Sequence, residues 1–291
     1  MPRSPVVARR RLGAALRELR SGAHLKLEDA ARALECSTSK VSRLENGKGV
    51  PRQRDVRDLI ELYGTGARAR EDELMTLVAD SLSRGEGLVT DFRDVFEGDM
   101  VSDEASRYVA LEQDAAAISA FEPFLVPGLL QTVEYAEAVT ELFYPDRAPD
   151  ERRRLVDLRM HRQQLLRRGR EGLRFSVVLG EQALLRPIGG PDVMRKQLEH
   201  LVGQLRDGLS HVAFRVAPLD MVTIGVLGGP FAVLEFPDEK DQDVVYLEGR
   251  DSATYLETDE QVGRYRETFA ALAAASLDRA SSLDLVERAL H

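Results

Sequence analysis

The stretch "SKVSRLENGKGVPR", residues 39–52, sets an apolar pair, Val41 and Leu44, among Ser, Lys and Arg and then stops at Asn46-Gly47. A spacing of three puts both apolar side chains on one helical face. The polar residues between them fall on the opposite face. A helix of this kind is held by one side and presents the other. It is expected over about 38–45, with Ser37 capping its first turn through the side-chain oxygen and Gly47 ending it.

Working backwards, Leu12, Leu16 and Leu19 mark an amphipathic first helix, broken by "SGAH" at 21–24 with Gly22 as the breaker. A second helix spans about Leu27 to Leu34, with Ala30, Ala31 and Leu34 as a compact inner face. Three residues, Glu35-Cys36-Ser37, separate it from the third. Two short helices joined this closely form a helix-turn-helix. Working forwards, Val56, Leu59, Ile60 and Tyr63 give a fourth helix beginning near Arg52. With Val41 and Leu44 buried, Thr38, Ser39, Ser42 and Arg43 project outwards in a way that suits the DNA major groove.

Charge points the same way. The 291 residues carry a net −9. Residues 1–66 hold 14 Lys and Arg against 8 Asp and Glu, or +6, leaving −15 for the remainder. A small basic head on a large acidic body suggests that only the head meets a polyanion.

"LEDAARALECSTSKVSRLENGKGVP" resembles the Cro/C1-type (XRE) helix-turn-helix over roughly residues 6–65, most specifically in "VSRLENG". The resemblance implies a structural ion pair between Arg20 and Glu45. It implies base or phosphate contacts for Thr38, Ser39, Ser42 and Arg43. Lys26, Lys40, Lys48 and Arg52 are expected at phosphates, which fix register without reading sequence. The chain departs from the family pattern at Leu27, where Gln is usual, and at Glu35, where Gly is usual and φ > 0 would strain any other residue.

"GTGARARED" (64–72) marks a boundary, followed by a helix over about 70–83 closed by "SRGEGL". The division expected is 1–66 for DNA binding, 67–88 as a linker helix acting as spacer or dimer contact, and 89–291 as an acidic regulatory domain. In the last, "FLVPGLLQT" reads as an extended stretch turned at Pro127-Gly128. Thr132 caps a helix after it, and a long helix runs from about 150 to 168. Strands are expected at 173–181 and in "HVAFRVAP", "FAVLEFP" and "VVYLEG". Helices are expected with Met194, Leu198, Leu201 and Leu205 inward, and over about 259–277. The fold class is thus a mainly α helix-turn-helix bundle plus a larger α+β C-terminal domain.

"ALEQDAAAISAFEPFLVPGLLQTVEYAEAV", "RMHRQQLL", "LGEQALLRPIGGPDVMRKQLEHL" and "VVYLEG", in that order, resemble the C-terminal domain of unknown function of actinobacterial XRE-type regulators. Its recognisable pieces, Pro127, Gly128 and Gln131 in "PGLLQT" and the pair Arg162 and Gln163, make a candidate ligand or partner surface. Glu181, beside the 184–191 loop, joins them. The resemblance implies a regulator, often encoded beside a very small acidic partner protein, and in some cases likened to antitoxins. The expected partners are double-stranded DNA, a second copy of the chain, and either that small protein or a small-molecule effector. The alternative is an antitoxin-like protein that neutralises its partner and represses its own operon.

Enzymatic motifs are missing. The five histidines show no HExxH spacing, "GVLGGP" (225–230) is neither a dinucleotide nor a phosphate loop, and no nucleophile elbow occurs. Cys36, the only cysteine, rules out an internal disulfide and reads as a small half-buried residue. No catalytic residue, metal or cofactor is expected. The Arg run from Arg152 to Arg170 shares its helix with Asp150, Glu151 and Asp157 and reads as a solvated, ion-paired face. No apolar run of about 18 residues suggests a membrane span, and the basic N-terminus lacks the apolar core of a secretory signal. A cytoplasmic, nucleoid-associated protein is expected.

Overall fold

Ser4 opens the first helix by accepting a hydrogen bond from the Val7 amide, with Pro5 at a first-turn position where its missing N–H costs nothing. Helix α1 (Pro5–Gly22) packs with α2 (Leu27–Ala33), α3 (Thr38–Glu45), α4 (Gln53–Tyr63), α5 (Thr65–Arg68) and α6 (Glu71–Leu82). The computed structural model describes residues 4–83, 91–97, 100–167, 172–209, 212–239, 241–249 and 252–290. The chain divides into two compact units, Met1–Thr90 with Asp238–Asp241, and Asp91–Pro237 with Gln242–His291. Among the described residues no helix is long and apolar enough to cross a membrane.

One core holds the first unit. It contains Leu12 and Leu16 of α1, Ala30 and Ala31 of α2, Val41 and Leu44 of α3, and Val56, Leu59, Ile60 and Tyr63 of α4. Leu74, Leu77 and Val78 of α6 belong to it as well, so the helix expected as a linker or dimer contact buries its apolar face beside α1. The remainder of that expected segment, residues 84–88, lies outside the described residues.

Three consecutive helices end in the same way. After α1, His24 N–H donates to Ser21 O (3.0 Å) and Leu25 N–H to Arg20 O (3.1 Å). After α2, Glu35 and Cys36 repeat the pattern on Arg32 O and Ala31 O; after α3, Gly47 and Lys48 repeat it on Leu44 O and Arg43 O. Each is a Schellman closure, which needs a left-handed residue at its turn. The residues there are His24 (φ 57°), Glu35 (φ 48°) and Gly47 (φ 64°). The end of α1 is therefore set at His24, two residues beyond the expected breaker Gly22, which is still helical.

The second unit is built on a six-stranded sheet in the order β3-β2-β1-β4-β5-β6. The strands are β1 (Ala117–Glu122), β2 (Arg174–Gly180), β3 (Val212–Ala217), β4 (Phe231–Glu235), β5 (Val244–Glu248) and β6 (Ala253–Leu256). β1, β2 and β3 run parallel; β4, β5 and β6 continue antiparallel from the other side of β1. The helices are α7 (Arg93–Glu97), α8 (Asp103–Asp114), α9 (Val133–Phe143), α10 (Pro149–Arg162), α11 (Gln164–Arg167), α12 (Gln182–Leu185), α13 (Pro191–Gly203), α14 (Ile224–Leu227), α15 (Asp259–Ala275) and α16 (Arg279–Arg288). α15 covers one sheet face with Val262 and Leu272, against Phe121, Val178, Val233 and Val245.

Several expectations change here. Strands β1 and β6 and helices α8 and α16 were not foreseen from periodicity: "AISAFE" is too rich in alanine, and β6 is too short, to stand out. The stretch 124–132 is not extended throughout, because Gly128–Leu130 closes a 3-10 turn. The long helix ends at Arg162 and resumes as α11 after Gln163, whose side chain donates instead to Gly128 O (3.0 Å) and Gln131 O (2.7 Å). Its expected end at Arg168 lies outside the described residues.

Candidate nucleic-acid interface and ligand cavity

Helix α3 is the centre of the first unit's candidate site. Ser37 caps it, its hydroxyl accepting from the Lys40 amide at 3.3 Å. Val41, Leu44 and Glu45 are buried. At about 100° per residue, Thr38, Ser42, Ser39 and Arg43 share an arc of roughly 140° on the opposite side. Thr38, Ser39 and Arg43 are exposed and Ser42 is half-buried.

The buried side of α3 is fixed by charge as well as packing. Arg20 of α1 grips Glu45 with both guanidinium edges, Nε to Oε1 at 2.7 Å and a terminal nitrogen to Oε2 at 2.9 Å, and also donates to Leu25 O at 2.8 Å. The hydrogen bonds it donates to Glu45 raise the Arg20 pKa above its ordinary value despite partial burial. Arg17, one turn earlier, donates to Glu45 O at 3.1 Å and to Asn46 Oδ1. Sequence reading missed it, although its i, i+3 spacing from Arg20 was a usable signal. Gly13 lets α1 pass the end of α3 closely, since a Cβ there would lie 2.6 Å from the carbonyl oxygens of Leu44 and Glu45.

The expected phosphate contacts divide. Lys26, Lys48 and Arg52 are exposed and, with Arg43, form no ion pair among the described residues. Lys40 is exposed but bonded to Asp55 of α4 at 2.6 Å, bracing α3 against α4. Ser42 Oγ accepts from Asn46 Nδ2 at 3.2 Å, so its hydroxyl is partly engaged.

In the second unit, a cavity of about 230 Å³ lies at the carboxyl end of β1. It sits on the sheet face opposite α15. Space arises there because Ala120 and Ala232, paired across β1 and β4, put two methyl groups where larger side chains would fill the layer. Pro127, Gly128, Gln131 and Arg162 of the candidate surface line it. Gln163 does not; it holds the 128–131 turn from behind. Glu181 does not either: its carboxylate accepts from the Leu219 amide at 2.8 Å, which secures the loop after β3. Pro230, at the end of "GVLGGP", is on the cavity wall.

The Arg run is not uniformly solvated. Arg153 pairs with Asp150 and Arg154 with Asp94 at the surface, as expected for such a face. Arg159 and Arg162 turn inwards. Arg162 forms a two-pronged pair with buried Glu112, at 2.6 and 2.8 Å. Burial opposes its charge, but Glu112 outweighs that and holds the guanidinium pKa above its usual value. Arg159 makes a single hydrogen bond, to Gln131 Oε1 at 3.0 Å, and no ion pair among the described residues. Burial, then Arg162, push its pKa down to about 10. Opposite stand Glu122 and Glu248 with the rings of Tyr108 and Tyr246, centroids 4.4 Å apart and planes tilted by 36°. Burial and neighbouring Glu248 push the Glu122 carboxyl up to about 8. Glu112, Glu122, Arg159 and the two tyrosines escaped the sequence reading because β1 and α8, which carry or face them, were not foreseen.

Comparison with known families gives two matches. A family described as "Helix-turn-helix domain" matches residues 11–74, and one described as "Domain of unknown function (DUF5753)" matches residues 105–288. No curated protein matches, and no solved structure matches. The second family covers more than half of the chain, and the chain belongs to it.

Proposed function

We propose that this member of the DUF5753 family is a sequence-specific DNA-binding transcriptional regulator of the Cro/C1 (XRE) type, of the actinobacterial group carrying the PGLLQT motif. The helix-turn-helix is its DNA-binding part. The observation that carries the reading is the polar arc of Thr38, Ser39, Ser42 and Arg43 on a helix whose other side is locked by Val41, Leu44 and the Arg20–Glu45 pair. A helix so presented enters the major groove with its outer side chains at base edges. Arg43, unpaired and exposed, is the candidate for a two-pronged contact to guanine. Lys26, Lys48 and Arg52 hold phosphates. Lys40 would have to exchange Asp55 for one, at small cost, because an exposed ion pair is worth about 0–1 kcal/mol.

A single recognition helix buries too little surface for tight operator binding, so the working form is a homodimer spanning two half-sites about 34–36 Å apart. The DUF5753 part supports dimerisation and receives a signal, acting only if the effector binds the DNA-competent and incompetent states unequally. The protein is a regulator rather than an enzyme and works at the nucleoid in the cytoplasm. The test is selection of bound genomic fragments, followed by titration of the selected duplex and a scrambled one. Arg43→Ala should weaken the selected duplex by about 1–3 kcal/mol and the scrambled one far less. Equal losses on both would remove base reading by Arg43. Co-purification of a small acidic protein at fixed stoichiometry would identify the signal as a protein.

A further inference from the structure

The cavity at the end of β1 collects polar groups that the protein leaves without a partner or, for Arg159, with one hydrogen bond, to Gln131. The carboxyls of Glu122 and Glu248 and the hydroxyls of Tyr108 and Tyr246 make no hydrogen bond among the described residues. Arg159 meets no carboxylate among the described residues. Tyr246 is buried, Tyr108, Glu122 and Arg159 are half-buried and Glu248 is exposed at the rim. Polar groups withdrawn from water are almost always paired, so four groups without a hydrogen bond and a singly bonded arginine around one space mark a binding site. Apolar contacts come from Val139, Leu155, Leu158, Phe175 and Phe231.

Charge decides the kind of ligand. Arg162 is neutralised by Glu112, which leaves among the described residues of the wall one cation without an acid, Arg159, and two acids without a cation, Glu122 and Glu248. A phosphate or other polyanion would meet Glu248 with only Arg159 to set against its charge, and would leave the Glu122 carboxyl without a use. A simple hydrophobe would leave the Glu122 carboxyl and the hydroxyls of Tyr108 and Tyr246 unmet. An ammonium satisfies the acids and can donate to the hydroxyl oxygens of Tyr108 and Tyr246. A carboxylate satisfies Arg159. The size, about 230 Å³, suits a molecule of amino-acid dimensions, since one water needs roughly 10–15 Å³ on the same measure.

We propose that this cavity is a small-molecule site for an amine-bearing carboxylic acid, its ammonium group held by Glu122 and Glu248 and its carboxylate by Arg159. The assignment rests on the reading of the DUF5753 part as the receiver of a signal, and supplies the chemical class of that signal. Since Glu122 keeps its proton near neutrality in the empty cavity, seating an ammonium beside it expels that proton.

The test uses the full chain without DNA, so its failure is distinct from a failure of operator recognition. Three probes with one ring and different heads are titrated by calorimetry: L-phenylalanine, 2-phenylethylamine and 3-phenylpropanoate. L-phenylalanine should bind saturably, and each one-headed probe should bind at least about tenfold more weakly, a difference of about 1.4 kcal/mol. Glu122→Gln should cost L-phenylalanine and 2-phenylethylamine about tenfold or more and spare 3-phenylpropanoate; Arg159→Gln should do the reverse. At pH 7 the apparent enthalpy for 2-phenylethylamine should vary with the buffer's ionisation enthalpy, reporting proton release, a readout that needs no variant. Absence of saturable binding by all three probes, binding of 3-phenylpropanoate alone, or equal losses for all probes in a folded Glu122→Gln chain would each overturn the proposal.

Discussion

Glu45 and Glu122 are two carboxylates placed in opposite circumstances. Glu45 is buried but met by Arg20 at two oxygens, so its charge is compensated where it lies. Removing one member of such a pair leaves the other stranded, at a cost of about 3–5 kcal/mol. Glu45→Gln should therefore lower the chemical denaturation free energy of the first unit by that order, while Arg20→Met with Glu45→Leu should lose much less. A loss below about 1 kcal/mol for the single change would put the pair among ordinary surface bridges. Glu122 forms no ion pair among the described residues; Glu248 and Tyr246 on β5, Tyr108 on α8, Tyr135 on α9, and Arg159 and Arg162 on α10 are the titratable groups around it. Its carboxyl holds its proton up to about pH 8 in the fold, against an ordinary value of 4.5. Between those limits the folded state binds more protons than the unfolded one, so this group's contribution to stability is complete below the lower value and is lost as pH rises through the upper. Thermal scans from pH 5 to 9 should show the parent declining across this window and Glu122→Gln declining less.

At the level of the element, the helix-turn-helix depends on how its helices stop. Three Schellman closures in succession reverse the chain within two or three residues each, and only the last has glycine at the left-handed position. A non-glycine residue there costs on the order of 1 kcal/mol or more. Glu35→Gly should thus raise stability by about 1 kcal/mol, offset in part by glycine's entropy in the unfolded chain, without altering DNA selectivity. An unfolding midpoint lowered by the change would mean that the Glu35 side chain contributes more than its backbone strain costs. The same closure after α3 sets Lys48 beside the end of that helix, its amide bonded to Arg43 O at 2.8 Å. A stop signal and a phosphate-binding candidate are thus the same two residues, Gly47 and Lys48.

For the whole molecule, the net −9 conceals a +6 head, and duplex affinity should fall steeply with salt because each phosphate contact releases counterions. Lys48→Ala should weaken all duplexes alike and reduce the slope of log K against log salt by about 1; an unchanged slope would remove Lys48 from the phosphate contacts. Local pattern sufficed for the head: Leu12, Leu16, Val41, Leu44, Val56 and Ile60 repeat at helical spacing, and Gly47 closes its helix, so neighbours in sequence carry the information. The sequence also carried the type of the second unit, since four of its six strands announce themselves as short runs of Val with Phe or Tyr. What the sequence could not supply was the cavity. Glu122 and Glu248, Tyr108 and Tyr246, and Arg159 and Gln131 are far apart in the chain or lie on elements with no period of their own. The reading of Arg159 and Arg162 as solvated failed because a helix's inward face is chosen by what packs against it, here Glu112 and the β1 sheet face. Hydrophobic spacing is a local property and survives in one dimension; the pairing or stranding of a buried charge depends on groups that only the folded chain brings within a few ångströms.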